Sequence, residues 1–268
     1  MINTGKFDIA IEEEKIQFKN LLDKLMSIKI TQDKNVELEE KANEEEKNTI
    51  LLLVEKKYNA KIFFLRINEI RCYGKFEFSK NLIDYIVKIF LKILDNVEAE
   101  DFWLFNSSMI LAQTFYFIEN NEKKYINDFI KSHKIYKSKD NWKLCIECDI
   151  KKKIENFIND FEKKENKQIE NGIKEIVFSV LLTFSQNMLD YDFDINEAEE
   201  MMKGFMEQYK IDGEHKKAIL DNFIKSKNKN VNIEKEKENV INEKDENEAE
   251  KKNVIENNIN EINVDKTE

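Results

Sequence analysis

Three aspartates alternate in NMLDYDFDINEAEEMM, residues 187–202, and alternating carboxylates are what the first half of a calcium-binding loop presents. Counting Asp190 as position one puts Asp192 and Asp194 at three and five. However, Ile195 stands where the loop needs a sharply turning glycine, and Met201 where it needs a bidentate glutamate. The residues that follow account for the acids without an ion. Ile195, Ala198, Met201, Met202, Phe205, Met206 and Tyr209 recur at helical spacing. Asp194 is therefore expected to cap that helix, with Glu197 three residues on in a box-like arrangement.

The second chemical pattern is CIEC, in which Cys145 and Cys148 have the spacing of zinc and redox pairs. Cys72 and His133 could supply further ligands, which defines one alternative reading, a helical metal-binding or redox protein. Against it, the pair lies inside a helical apolar pattern between Trp142 and Ile150, whereas metal and redox pairs usually sit on turns or at helix starts. Buried or half-buried thiols are the expectation. The chain has two histidines, His133 near aromatic residues and His215 in a lysine-rich helix start, where solvation is expected. It has no G-x-S-x-G elbow, no glycine-rich phosphate loop and no cysteine followed six residues later by arginine. A non-enzymatic protein, with no catalytic residue, metal or cofactor, is the reading these residues support.

Composition sets the partners. The net charge of −10, with 37% charged residues, repels phosphate backbones and disfavours nucleic acid. Lysine-rich stretches such as DIKKKIEN are aligned on one helix face or interleaved with acids, so they read as solvated faces; peripheral contact with a membrane is the other alternative. Three cysteines build no disulfide framework and suit a reducing compartment, so the cytoplasm is expected. The uncharged run from Phe102 to Ile118 is 17 residues long and carries Asn106, Ser107, Ser108, Gln113 and Thr114. It falls short of the roughly 20 apolar residues a membrane span needs, so no transmembrane segment is expected and the run reads as a buried helix.

With no proline and five glycines among 268 residues, the turns of a strand-rich fold are hard to build, and the chain reads as all-α. About eight helices are expected in an irregular single domain. Residues 1–30 form an amphipathic helix packing on the body, 31–48 a charged loop or frayed insertion, and 49–225 the main helical domain. Within that domain Ser79 is expected to cap a helix, and the helix through Ile176, Val180 and Phe184 should be central because it is apolar on most sides. Residues 226–268 hold 12 acids against 8 lysines, with 11 asparagines and scattered aliphatics. That composition cannot offset chain entropy by burial, so a disordered tail is expected. Ile233, Val240 and Val254 sit on a heptad grid that Asn247 and Glu261 interrupt, so at most a short coiled-coil association would form there.

Four motifs in order carry a family resemblance. They are an acid before the aromatic helix (Asp101), an M…TFY core (Met109, Thr114, Phe115, Tyr116), an H-x-I-aromatic step followed by Trp (His133, Ile135, Tyr136, Trp142) and T-F-x-x-N-M (Thr183, Phe184, Asn187, Met188). Over roughly residues 55–225 the chain resembles the helical domain of the Set-binding-factor group of myotubularin-related pseudophosphatases, and of small stand-alone neuronal cytoplasmic proteins carrying the same domain. The resemblance implies a non-catalytic helical module linked to endosomal traffic and Rab regulation. In those relatives exchange activity belongs to DENN regions and lipid recognition to phosphatase or PH folds, and this chain has room for neither. The resemblance adds a protein partner to the expectation of a scaffold or interaction module.

Overall fold

The computed structural model describes residues 4–30, 36–98, 101–159 and 166–228. It is all-α, with two short antiparallel hairpins. In order the elements are α1 (Thr4–Leu25), β1 (Ser27–Ile30), β2 (Val36–Glu39), α2 (Glu44–Leu53), α3 (Lys57–Cys72), α4 (Lys80–Asp95) and α5 (Phe102–Ala112). Then come β3 (Tyr116–Glu119), β4 (Glu122–Tyr125), α6 (Asn127–Ile130), a 3-10 turn (Lys134–Lys137), α7 (Lys139–Asn159), α8 (Asn166–Asp190), α9 (Ile195–Gln208) and α10 (residues 213–228). The tail and its heptad pattern lie outside the described residues.

Local chemistry explains where the helices start. The Ser79 hydroxyl accepts from the Leu82 amide at 3.2 Å and caps α4. Asn43 and Glu46 form a reciprocal capping box at the start of α2, and Glu44, Glu45 and Glu46 place their charge against the positive end of its dipole. The acidic run before residue 48 is thus partly a helix start. The single helix expected to run up to Ile30 instead stops at Leu25, because SIKI and VELE pair as strands, Lys29 opposite Glu37 and Ser27 opposite Glu39. The Lys29 ammonium also lies 3.4 Å from the Glu39 carboxylate, and opposite charges across a ladder favour this register.

The uncharged run departs from expectation in the same way. Its helix ends at Ala112, and Tyr116–Glu119 turns back on Glu122–Tyr125 through Asn120 and Asn121, whose φ angles are 53° and 65°. Two consecutive left-handed residues close a tight hairpin, and asparagine tolerates that conformation where a glycine would otherwise be needed. Phe76 and Phe78 bond their backbones to Tyr116, adding a short parallel bridge beside β3.

One apolar cluster joins the helices, from Phe18 on α1 to Phe223 on α10. Phe63 and Phe64 of α3 each meet Phe90 of α4 edge to face, with ring centroids 5.7 and 5.2 Å apart. Helix α7 lies along α8, where the Phe157 ring occupies the space a Cβ on Gly172 would take. No described helix is long and apolar enough to cross a membrane.

Candidate interaction groove

Each aspartate of the 190–194 stretch has protein partners of its own. The Asp190 carboxylate accepts from Gln186 at 2.9 Å and Gln113 at 3.3 Å, while its carbonyl accepts from Asn127. Asp192, with φ 51°, pairs with Lys131 at 2.9 Å. Asp194 accepts from the Asn196 and Glu197 amides, both at 2.9 Å, and caps α9. The Lys137 ammonium closes the turn by donating to the Tyr191 and Asp192 carbonyls at 2.8 and 2.7 Å; burial lowers its pKa. Three carboxylates with three sets of donors do not converge on a point, and among the described residues no group of three or more His, Cys, Asp or Glu side chains could hold a metal.

Cys145 is buried on α7 and Cys148 half-buried one turn on, while Cys72 is exposed on α3. Burial pushes the Cys145 thiol far up, away from the reactive thiolate. His133 is a connector: its Nδ1 accepts from the Ile135 amide at 3.3 Å, and its Nε2 meets Asp95 of α4 at 3.2 Å. His215, expected in solvent, stacks on Phe178 with centroids 4.1 Å apart.

The motif residues divide between a buried knot and the periphery. The Trp142 indole donates to the Tyr136 carbonyl at 2.9 Å and packs edge to face on Phe105, Phe184 and Tyr191. Tyr191 donates to the Met109 carbonyl, the Tyr136 hydroxyl meets Ser108 at 2.8 Å, and Asn187 accepts from Gln113. Met188 is fully buried, and its carbonyl accepts the Phe193 amide. Thr114 and Thr183 bond back to their own helices, and Thr183 is exposed. Phe115 and Tyr116 enter the β3 hairpin, and Asp101 pairs with Lys57 before α5. These side chains hold α5, α7 and α8 together, and their polar atoms bond to one another or to backbone carbonyls.

A different surface is open. Between α3 and α5 lies a groove of about 280 Å³ lined by Phe64, Leu65, Asn68, Arg71, Trp103, Ser107, Ile110 and Leu111. Leu65 is 58% exposed and Ile110 39%, and Trp103 is half-buried, its ring steeply inclined to that of Phe64 at 6.4 Å between centroids. Arg71 and Arg66 are the only arginines in the chain and stand five residues apart on α3. Arg66 is consumed by the fold, donating to the Met26 carbonyl and pairing with Asp23 and Glu69. The Arg71 side chain has no ion-pair or hydrogen-bond partner among the described residues, while its carbonyl accepts from the Gly74 amide. In the sequence the two arginines stand out as the only ones and fall within one helical pattern, but nothing in it shows which of them the fold leaves unpaired.

A scan of protein-family models finds no match to this chain, and no curated protein matches it.

Proposed function

We propose that this protein is a non-enzymatic helical interaction module whose recognition surface is the α3–α5 groove. The observation that carries this reading is the unpaired Arg71 guanidinium at the side of an apolar trough bearing Trp103, Leu65 and Ile110. Tryptophan and arginine around a desolvated centre are the composition of an interface hot spot, and a planar guanidinium is suited to a carboxylate. A trough between two helices takes the apolar face of a third, so the partner is an amphipathic helical segment with an acidic side chain beside its apolar stripe. The net charge of −10 argues against nucleic acid as the partner. A role in membrane traffic, as the Set-binding-factor resemblance implies, is part of this proposal and rests on the four motifs.

A photo-crosslinking amino acid in place of Ser107 tests the reading inside cells. The expected outcome is a discrete crosslinked protein whose yield falls at least tenfold in Arg71→Glu, with unchanged melting, and in Trp103→Ala, with unchanged helical circular dichroism at the temperature of the assay. The same adducts at the same yield in both variants would overturn it.

A further inference from the structure

We infer that the α3–α5 groove has an occupant within this chain, the segment around Ile255, Ile259 and Ile262. This rests on the groove being the recognition surface. The groove asks for aliphatic side chains at helical spacing with a carboxylate beside them, because its floor and ridges are apolar and its free charge is Arg71. Ile255, Ile259 and Ile262 follow the i, i+4, i+7 spacing of one helical face, and Glu256, Glu261 and Asp265 flank them. From residue 229 to the end the chain has twelve carboxylates against seven lysines, and Glu256, Glu261 and Asp265 beside the stripe are the carboxylates placed to meet the free guanidinium.

Chain length permits the contact. Residues 229–254 lie between the end of α10 and the first isoleucine of the stripe, a span of up to ~85 Å when extended. A body of this size is roughly 45 Å across, so the segment reaches any point on its surface. Tethering also gives it an effective concentration in the millimolar range, so a weak contact suffices. An outside partner with the same chemistry then competes with the tail, and the groove is engaged only by partners that outbid a tethered ligand.

The test uses the full chain. Trp142 is fully buried and Trp103 lines the groove, so acrylamide quenching of tryptophan fluorescence reports mainly on Trp103. In a variant with Ile255, Ile259 and Ile262 all changed to serine, the quenching constant should rise about twofold, with helix content and melting unchanged. A photo-crosslinker replacing Ser107 should yield intramolecular links to residues 250–268, at a yield independent of protein concentration over a tenfold dilution. Unchanged quenching in the serine variant overturns the inference, as does the absence of links to that segment. A yield that rises with concentration also overturns it, since the occupant would then be a second copy. The two failures are distinguishable. If Arg71→Glu abolishes partner capture while the serine variant leaves quenching unchanged, tail docking falls and the groove reading stands. If Arg71→Glu leaves partner capture intact, the groove reading falls, and tail docking loses the surface it rests on.

Discussion

Asp194 offers one carboxylate oxygen to two backbone amides of α9, which makes it a cap that can be removed without disturbing a neighbour's side chain. Asp194→Ala should cost about 1 kcal/mol, read as a lower urea midpoint at unchanged slope. Asp194→Asn should stay within about 0.5 kcal/mol of the parent, because asparagine caps as well as aspartate; a larger loss would mean the charge serves something other than the helix start. Glu199 gives a pH signature of a different kind. Lys203 and Lys227 hydrogen-bond its carboxylate, both at 2.6 Å, and hold its pKa below the ordinary 4.5. A carboxylate depressed in the folded state contributes stability above its unfolded pKa and loses it as pH falls through the folded one. The stability difference between the parent and Glu199→Gln should therefore be present at pH 7, at under ~1 kcal/mol for an ion pair whose lysines are 40–50% exposed. It should shrink as pH drops below 4.5. A difference that persists undiminished at pH 3 would show that the ion pairs are not its source.

At the scale of elements, periodicity revealed the helices and missed what asparagine can do. The stripe through Leu82, Ile86, Ile89, Phe90 and Ile93 and the cap at Ser79 place α4 from sequence alone. By contrast, YFIENNEKKY carries no glycine or proline, so a rule that seeks turns through those residues extends α5 to Ile118, over most of the first strand of a hairpin. Among the described residues four non-glycines adopt positive φ, Asn120 and Asn121 included, and that backbone freedom has no hydrophobic period to betray it. Asn121→Gly should hold or raise stability by up to about 0.5 kcal/mol, while Asn121→Val should lose about 1–2 kcal/mol, because a β-branched residue is strained at φ 65°. The groove was harder to read still, since exposure of Leu65 and Ile110 depends on which helices pack beside α3 and α5. Two helical glycines make a matched pair for the same lesson. A Cβ at Gly204 on α9 would meet nothing within 4 Å, so Gly204→Ala should stabilise by about 0.5–1 kcal/mol through backbone entropy. A Cβ at Gly172 would enter the Phe157 ring and displace it, so Gly172→Ala should fail to show the gain expected at Gly204 and should destabilise by about 1 kcal/mol as Phe157 loses its packing. Thermal denaturation of both variants checks the pair.

Across the whole molecule the question is whether α1 is an appendage or part of one cooperative unit. Phe18, Leu22, Leu25 and Met26 are fully buried, and they belong to the same apolar cluster as Ile219 and Phe223 at the far end of the described chain. Between them α1 packs on α3, α3 on α5, α5 on α7, α7 on α8 and α8 on α9, so each layer needs its neighbours to stay dry. Arg66 reinforces the first joint from α3 by donating to the Met26 carbonyl. A continuous core of this kind should unfold in one step. Leu25→Ala and Ile219→Ala should then each cost about 2–5 kcal/mol and shift the same transition. In a Trp103→Phe background, which leaves buried Trp142 as the one fluorescent tryptophan, helical circular dichroism and fluorescence should give coincident urea midpoints with and without either substitution. If α1 were a separable attachment, Leu25→Ala would split the transition, moving part of the dichroism to lower urea while the fluorescence midpoint stayed in place. Coincidence in that variant is the decisive outcome, because the mutated residue and the fluorescent reporter are joined only through the intervening layers.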